Sequence, residues 1–418
     1  MKASPSRIAL ALAALALAAP AAAVDLHGYL RAGVGGASRG GSQVCFNNQG
    51  SNYKFRLGNE CETYGELQFD QTLFKNKEGV QFKYSAMLSY STSQEQDYES
   101  LAGNSQDNIL HANGNAIALR QNWVGVVLPQ LKNATVWVGK RYYQRQDVHI
   151  IDFYYWDVSG FGGGIEDVDL GFGKLSLAVF QNKDFAGEGS EPRRAVWRPD
   201  VRITGVPVNP GGFLEAGVML AYLSETSEVK TEGAQKLSPW FTVQHVQTNL
   251  FGGFNKLAVQ YATGNANGMN PYPSTGNDSD VKRLRVIEHL VFQPTPTISG
   301  ALVGTYQQDD DGTNVNKQWG VGARPAWHFN DFAKLAVEVG YNQVIPENGD
   351  KTSMFKATVA PTLMPTAGPA GAFFTRPELR AFATWASWND AQKGSTGGPT
   401  FTDDTSGVTF GLQAETWF

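Results

Sequence analysis

Apolar and polar side chains alternate with a period of two from near the start of the chain to its last residue. Val24, Leu26, Leu30, Ala32 and Val34 share one parity, and Asp25, His27, Tyr29 and Arg31 share the other. Val80, Phe82, Tyr84, Ala86, Leu88 and Tyr90 alternate with Gln81, Lys83, Ser85, Met87 and Ser89. The same pattern recurs around Leu175–Val179, Leu257–Tyr261 and Leu335–Tyr341, and again over Val408–Phe418. Successive side chains of a strand point to opposite faces, so each run predicts a strand with two unlike faces. Turn-rich pieces separate the runs: Gly35–Gln43, Gly160–Gly164, Asn209–Gly212, Gly264–Asp280, Asp309–Asn316 and Asn389–Thr405. No helical period of useful length appears, and no linker divides the chain. Residues 24–418 therefore read as one all-β unit.

The two faces decide what kind of unit it is. A sandwich of this size needs a second buried layer, yet here the second face is polar nearly everywhere. A closed antiparallel barrel with lipid outside and water inside satisfies both faces and leaves no open edge. No apolar run after residue 23 reaches the roughly 20 residues that a helical span needs. A slightly negative mean hydropathy is compatible with such a barrel, because only every second strand residue meets lipid. Glycine (46) and aromatic residues (10 Trp, 15 Tyr, 24 Phe) are frequent enough to supply turns and interfacial girdles.

Residues 1–23 have the form of a secretory signal. Lys2 and Arg7 are followed by an Ala/Leu-rich run and then by Ala21-Ala22-Ala23, a small-residue cleavage site. A formal charge of −5 argues against a nucleic-acid partner. The two cysteines, Cys45 and Cys61, are either a disulfide or two buried thiols, and export to an oxidising compartment favours the disulfide. It would staple a loop at the mouth of the barrel.

One segment fits neither a spanning strand nor a surface loop. Lys140 to Asp157, KRYYQRQDVHIIDFYYWD, carries charges on both parities and six aromatic residues. Such a segment suits a water-filled interior. Large aromatics also fall on the polar parity elsewhere. Tyr29 sits with His27 and Arg31, and Tyr64 with Arg56, Glu60, Glu66, Gln68 and Asp70. Phe254 sits with Lys256 and Gln260, Phe374 with Arg376, Glu378 and Arg380, and Trp417 with Gln413 and Glu415. A ring facing water forgoes roughly 1.5–3 kcal/mol of burial. A strand end, a bulge or an overlying loop would account for any one of them, but not readily for all. A row of rings that stacks on the apolar faces of sugars accounts for the set.

Signals of covalent chemistry are weak. No pair among the six histidines has the i, i+4 spacing of a helical zinc site, and no nucleophile motif accompanies His149, Asp147 and Asp152. Asp309-Asp310-Asp311-Gly312 lacks the ligand spacing of a calcium loop and reads as a solvated tip. The expectation is a non-enzymatic protein without cofactor or metal.

Five stretches carry a family resemblance: VDLHGYLRAG (24–33), KFRLGNECETYGEL (54–67), GKRYYQRQDVHIIDFYYWDVSG (139–160), GFGKLSLA (171–178) and GFNKLAVQYAT (253–263). They resemble the maltoporin family from Val24 to Phe418. The resemblance implies an 18-stranded, trimeric outer-membrane barrel that passes maltose and maltodextrins. It implies an aromatic slide of Tyr29, Tyr64, Phe254, Phe374 and Trp417, with Tyr98 reaching in from a neighbouring subunit. Tyr154, on an inward-folded loop at about 140–160, would be the steric bar of the constriction. Arg31, Arg56, Glu66, Arg120, Arg145, Asp147 and Asp152 would form polar tracks for sugar hydroxyls. Phage and a periplasmic sugar-binding protein are further partners that it raises.

Three other readings compete with this one. Sucrose porins of related type differ at Arg145, Tyr154 and Asp157 and carry an N-terminal coiled coil, neither of which matches this sequence. A general diffusion porin has no use for a row of lumen rings. A surface receptor or adhesin would place the function in the loops instead of the pore.

Overall fold

The computed structural model describes residues 24–94, 111–112, 115–184, 194–226, 230–365 and 373–418. The expected signal segment (1–23) and Tyr98 lie outside the described residues. One sheet of 19 stranded segments makes the wall. One of these, His111–Ala112, is a two-residue piece paired to Asn115–Leu128. The other 18 run antiparallel, and the first strand (Asp25–Ala37) closes the sheet against the last (Ser406–Trp417). The predicted barrel is therefore present, with no open edge along this seam.

The alternation read from the sequence is the alternation of the wall. Leu257, Val259 and Tyr261 are exposed on the outside, while Ala258 and Gln260 are buried inside. Leu177 and Val179 face out, with Ser176 and Ala178 buried. Phe410 and Leu412 face out, with Thr409, Gln413 and Glu415 buried. The start of the first strand, Asp25, and the last residue, Phe418, lie at the end of the barrel that carries the tight turns. There Pro210-Gly211 joins two strands in two residues, and Gly211 takes φ +73°, a conformation costly for other side chains. Phe418 returns to the first strand through paired backbone hydrogen bonds with Gly28 at 3.0 and 3.1 Å.

The core sits inside the barrel, where two loops fold inward. The loop after Arg141 buries Tyr143, Val148, Ile150, Ile151, Tyr155, Trp156 and Val158 against Trp137, Phe180, Met219 and Trp240 of the wall. The first loop, 38–62, buries Phe46, Tyr53, Phe55 and Leu57. Phe55 lies over Gly322 and Gly340, which are cross-strand partners. A Cβ at either glycine would stand 2.1 or 2.2 Å from its ring. Two adjacent positions of the wall thus lack side chains where the loop needs room for one. The final loop braces the first. Phe401 and Trp388 pack on Phe46, and the side-chain Oε1 of Gln392 accepts from the backbone N–H of Gln49 at 2.9 Å.

Three sequence expectations are corrected here. Arg56 and Glu60, read on one polar parity with Tyr64, belong to the inward loop; the strand itself begins at Thr63. Gly160–Gly164, read as a turn, opens the strand Gly160–Asp169. A Cβ at Gly162 or Gly164 would stand 2.1 or 2.3 Å from a neighbouring carbonyl, so these glycines permit close packing instead of a turn. Phe374 precedes the strand Glu378–Trp388 and sits in the turn before it.

Candidate functional site

The loop 142–159 carries most of the site. Two short strands, Gln146–Val148 and Phe153–Trp156, pair with each other, joined by a tight turn at His149–Ile151. Asp152 ends that turn with φ +53°, a left-handed conformation that aspartate tolerates better than most residues. Val148, Ile150, Ile151, Tyr155 and Trp156 are buried toward the wall. Asp147, His149, Asp152, Tyr154 and Asp157 line the lumen. The two chemistries that made the segment puzzling as a sequence are its two faces.

Guanidinium groups of the wall hold this loop by its carbonyls. Arg198 donates to the carbonyls of Val158 and Ser159 at 3.0 Å each, and Arg202 donates to that of Gln144 at 2.9 Å. Gln260 donates to the carbonyl of Tyr155 at 2.9 Å, and Lys256 to the side chain of Gln146 at 2.7 Å. Buried carbonyls need such donors, and charged donors make the stronger bonds.

The first loop supplies Arg56. Its base is closed by the disulfide between Cys45 and Cys61. The stapled loop therefore lines the lumen in addition to standing at the mouth. The Arg56 guanidinium binds Glu60 at 2.9 Å, Glu415 at 3.0 Å and the Tyr29 hydroxyl at 2.6 Å. Tyr29 in turn donates to Glu415 at 3.0 Å. Arg31 contacts Glu60 at 3.1 Å and Asp152 at 3.4 Å, and also pairs with Glu62.

Between the two loops and the wall lies a cavity of about 420 Å³. Tyr29, Tyr64, Tyr154 and Trp417 line it, with Arg31, Arg56, Arg120 and Arg145, and with Glu66, Asp147, Asp152 and Asp157. Four guanidinium groups thus face four carboxylates among the rings, a balance suited to a neutral solute rich in hydroxyls. Arg145 is sandwiched, its Cζ 3.4 Å from the Tyr142 ring centre and 4.4 Å from that of Tyr154. Tyr64 and Tyr142 both donate to Glu66, at 2.7 and 3.1 Å, and Arg120 bonds the Tyr142 hydroxyl. Tyr154 remains 44% exposed, so its ring stands in the open lumen.

Of the predicted rings, the five among the described residues follow one another along the lumen. Tyr64 and Tyr29 have ring centres 6.0 Å apart, and Tyr29 and Trp417 are cross-strand partners. Phe254 and Phe374 lie outside the cavity, toward the tight-turn end, stacked at 6.4 Å with their planes 5° apart. His149 joins the two groups. Its ring lies edge-on to Trp417 at 5.7 Å and to Phe374 at 6.1 Å. Sequence reading weighed His149 only as an acid–base candidate. The available signal was its parity with Asp147, on the lumen side of an alternating run. Tyr142 and Arg376 were missed as well; Arg376 stacks on Trp417 at 4.3 Å.

Electrostatics keep these groups in fixed states. His149 faces the guanidinium groups of Arg56 at 3.3 Å and Arg376 at 3.2 Å. Burial, then Arg56, holds its imidazole well below the ordinary value, so it stays neutral. Burial alone would raise Asp152, but Arg56, Lys54 and Arg31 hold it below the usual carboxylate range. Burial raises Asp147, with Lys256 and Arg145 opposing. Burial pushes the Tyr154 phenol up to about 12, so it keeps its proton and can donate. The nearest carboxylate contact of His149 is Glu415 at 3.9 Å, too long for a hydrogen bond in an acid–base pair. Among the described residues no three His, Cys, Asp or Glu side chains have a geometry that could hold a metal ion.

A family model described as LamB porin matches residues 24–418. Among solved structures, OccAB1 of Acinetobacter baumannii is similar in fold. It is 10% identical over 94% of this chain and 97% of that chain, with a TM-score of 0.50. OccK9 (OpdG) of Pseudomonas aeruginosa is 11% identical over 94% of this chain and 98% of that chain, also with a TM-score of 0.50. At such identities these two likenesses concern the fold alone.

Proposed function

Because the chain belongs to the LamB porin family, the porins of the maltoporin type in the bacterial outer membrane, we propose that it is a passive, sugar-selective channel for maltose and maltodextrins. The observation that carries this reading is the run Tyr64, Tyr29, Trp417, His149, Phe374, Phe254 beside four guanidinium groups and four carboxylates. Sugar rings have apolar C–H faces and hydroxyl edges. The faces stack on the rings while the edges exchange hydrogen bonds with Arg31, Arg56, Arg120, Arg145, Glu66, Asp147 and Asp152.

Each stacking contact is worth roughly 1 kcal/mol. Weak, repeated contacts suit transport, because a permeant must enter readily and also leave. Tyr154, held by Arg145 in the open lumen, is the steric bar that flattens the path. The working unit is a homotrimer, in which Tyr98 of each subunit extends its neighbour's rail at the loop end. No covalent step or cofactor enters the scheme.

The test is ion current through the purified protein in a planar bilayer, titrated with maltotriose and, in parallel, sucrose. Saturable block by maltotriose at far lower concentration than by sucrose supports the reading. Preferential block by sucrose would make it a porin for another oligosaccharide. A large steady current that neither sugar blocks would make it a general diffusion porin.

A further inference from the structure

Of the four guanidinium groups that line the central cavity, three are committed to the protein itself. Arg31 and Arg56 each bind two or more carboxylates, and Arg120 bonds the Tyr142 hydroxyl. Arg145 makes no hydrogen bond and no ion pair among the described residues. What holds it is a pair of rings, with its Cζ 3.4 Å from the ring centre of Tyr142 and 4.4 Å from that of Tyr154. At the shorter distance the guanidinium lies close to flat on the Tyr142 face, because a steep tilt would drive a nitrogen into the ring. The five N–H donors of a guanidinium all lie in its plane. Rings on its two faces therefore fix that plane and use none of the donors, whereas a bidentate carboxylate would fix it and use two.

The two rings are not equivalent. Tyr154 stands open to the lumen on the inward loop and meets Arg145 at the longer distance. Tyr142 follows directly on the wall strand Ala134–Arg141 and is tied to two other wall strands. Its hydroxyl donates to Glu66 at 3.1 Å and accepts from Arg120, and its backbone N–H donates to Oε1 of Gln121 at 3.1 Å. Glu66 belongs to Thr63–Lys75, and Arg120 and Gln121 belong to Asn115–Leu128. Gln121 is buried and donates in turn to Gln68 at 3.0 Å. Tyr142 is thus a platform fixed to the wall, and the Arg145 guanidinium is placed by it.

We infer that Tyr142 is a positioning residue for sugar binding, whose wall-anchored ring sets the plane of Arg145 so that the guanidinium meets sugar hydroxyls with its donors free. The inference rests on the sugar-channel reading above. Tyr142 does not line the central cavity, so it acts on the solute through Arg145. Without the ring face, the guanidinium is released among Glu66, Asp147 and Asp157, which line the same cavity. It then pairs with one of them and spends the donors that the stack had kept free.

A double-substitution cycle on the full-length protein in a planar bilayer tests this. The readout is the maltotriose concentration that gives half block, and ion current without sugar shows that each variant has folded. Tyr142→Leu should raise that concentration about tenfold, the loss of a well-placed charged donor. Should Tyr142→Leu carry no current, Tyr142→Met, which fills more of the space, takes its place. Tyr142→Phe keeps the ring face and should stay within about twofold of the parent. In an Arg145→Gln background, where block is already weakened, Tyr142→Leu should change nothing further. An equal effect of Tyr142→Leu with and without the arginine would overturn the inference. So would parent-like block in Tyr142→Leu, or a Tyr142→Phe channel as weakly blocked as Tyr142→Leu. Each of these results leaves the sugar-channel reading intact when the parent channel is blocked. A parent channel that maltotriose does not block brings down both.

Discussion

The backbone amide of Arg56 donates to the carbonyl of Ile150 at 3.2 Å, so the two inward loops touch each other inside the barrel. The consequence is electrostatic as well as steric. Arg56, delivered by the first loop, reaches His149, Asp152 and Tyr29, which belong to the second loop and the wall. This part of the lumen is therefore assembled from three separate stretches of chain. A change in any of them should be felt in the others.

Tyr154→Ala tests the steric bar. The ring is 44% exposed and packs mainly on Arg145, so its removal opens the lumen and leaves the hydrophobic anchor of the loop in place. Single-channel ion conductance should rise and maltotriose block should weaken. Unchanged conductance would place the constriction elsewhere.

Trp417→Ala tests the rail. The indole lies between Arg376 and His149 and beside the central cavity. Losing one stacking platform worth about 1 kcal/mol weakens sugar binding about fivefold. Conductance in the absence of sugar should stay near that of the parent. A parallel loss of conductance would indicate damage to the seam between the first and last strands and not to a binding contact.

The wall was legible in the sequence because parity has only two values. Leu257, Val259 and Tyr261 could face only one way once Gln260 faced the other. The inward loops were legible in part. The odd chemistry of 140–157 marked that loop, but its partner loop was hidden, because Arg56 and Glu60 happen to continue the parity of the strand that starts at Thr63. Periodicity does not show where a strand ends when the next residues are polar and the loop folds inward. His149 was visible as a residue but not as a ring in the run. Its role depends on Phe374 and Trp417, which are more than 200 residues away in the chain and come close only when the barrel closes.

The neutrality of His149 predicts a pH dependence with a definite sign. Its folded value is depressed, first by burial and then by Arg56. The unfolded chain therefore binds a proton that the folded chain refuses as pH falls through the ordinary histidine range, about 6.5. Stability from this group is fully present above that range and declines below it. Asp147, raised by burial, works in the opposite direction at lower pH, so the comparison must be made by difference. The fall in thermal midpoint between pH 7.5 and pH 5.5 should be larger for the parent than for His149→Gln. Equal falls would mean that the imidazole is protonated in the folded barrel.

The contact of Phe55 with Gly322 and Gly340 predicts a non-additive pair. A Cβ at Gly340 would stand 2.2 Å from the Phe55 ring, so Gly340→Ala should push the first loop off the wall. Phe55→Ala alone removes a ring that is 1% exposed, and burial changes of that kind cost about 3–5 kcal/mol. Together the two substitutions should cost less than their sum, because the new methyl group occupies space that the ring has left. The loop also carries Arg56, so Gly340→Ala should weaken sugar block more than a distant wall substitution of equal stability cost. Heat-induced unfolding of the two single variants and the double variant, with maltotriose block measured on each, separates these effects. Strict additivity would mean that the ring and the glycine pair do not share one site.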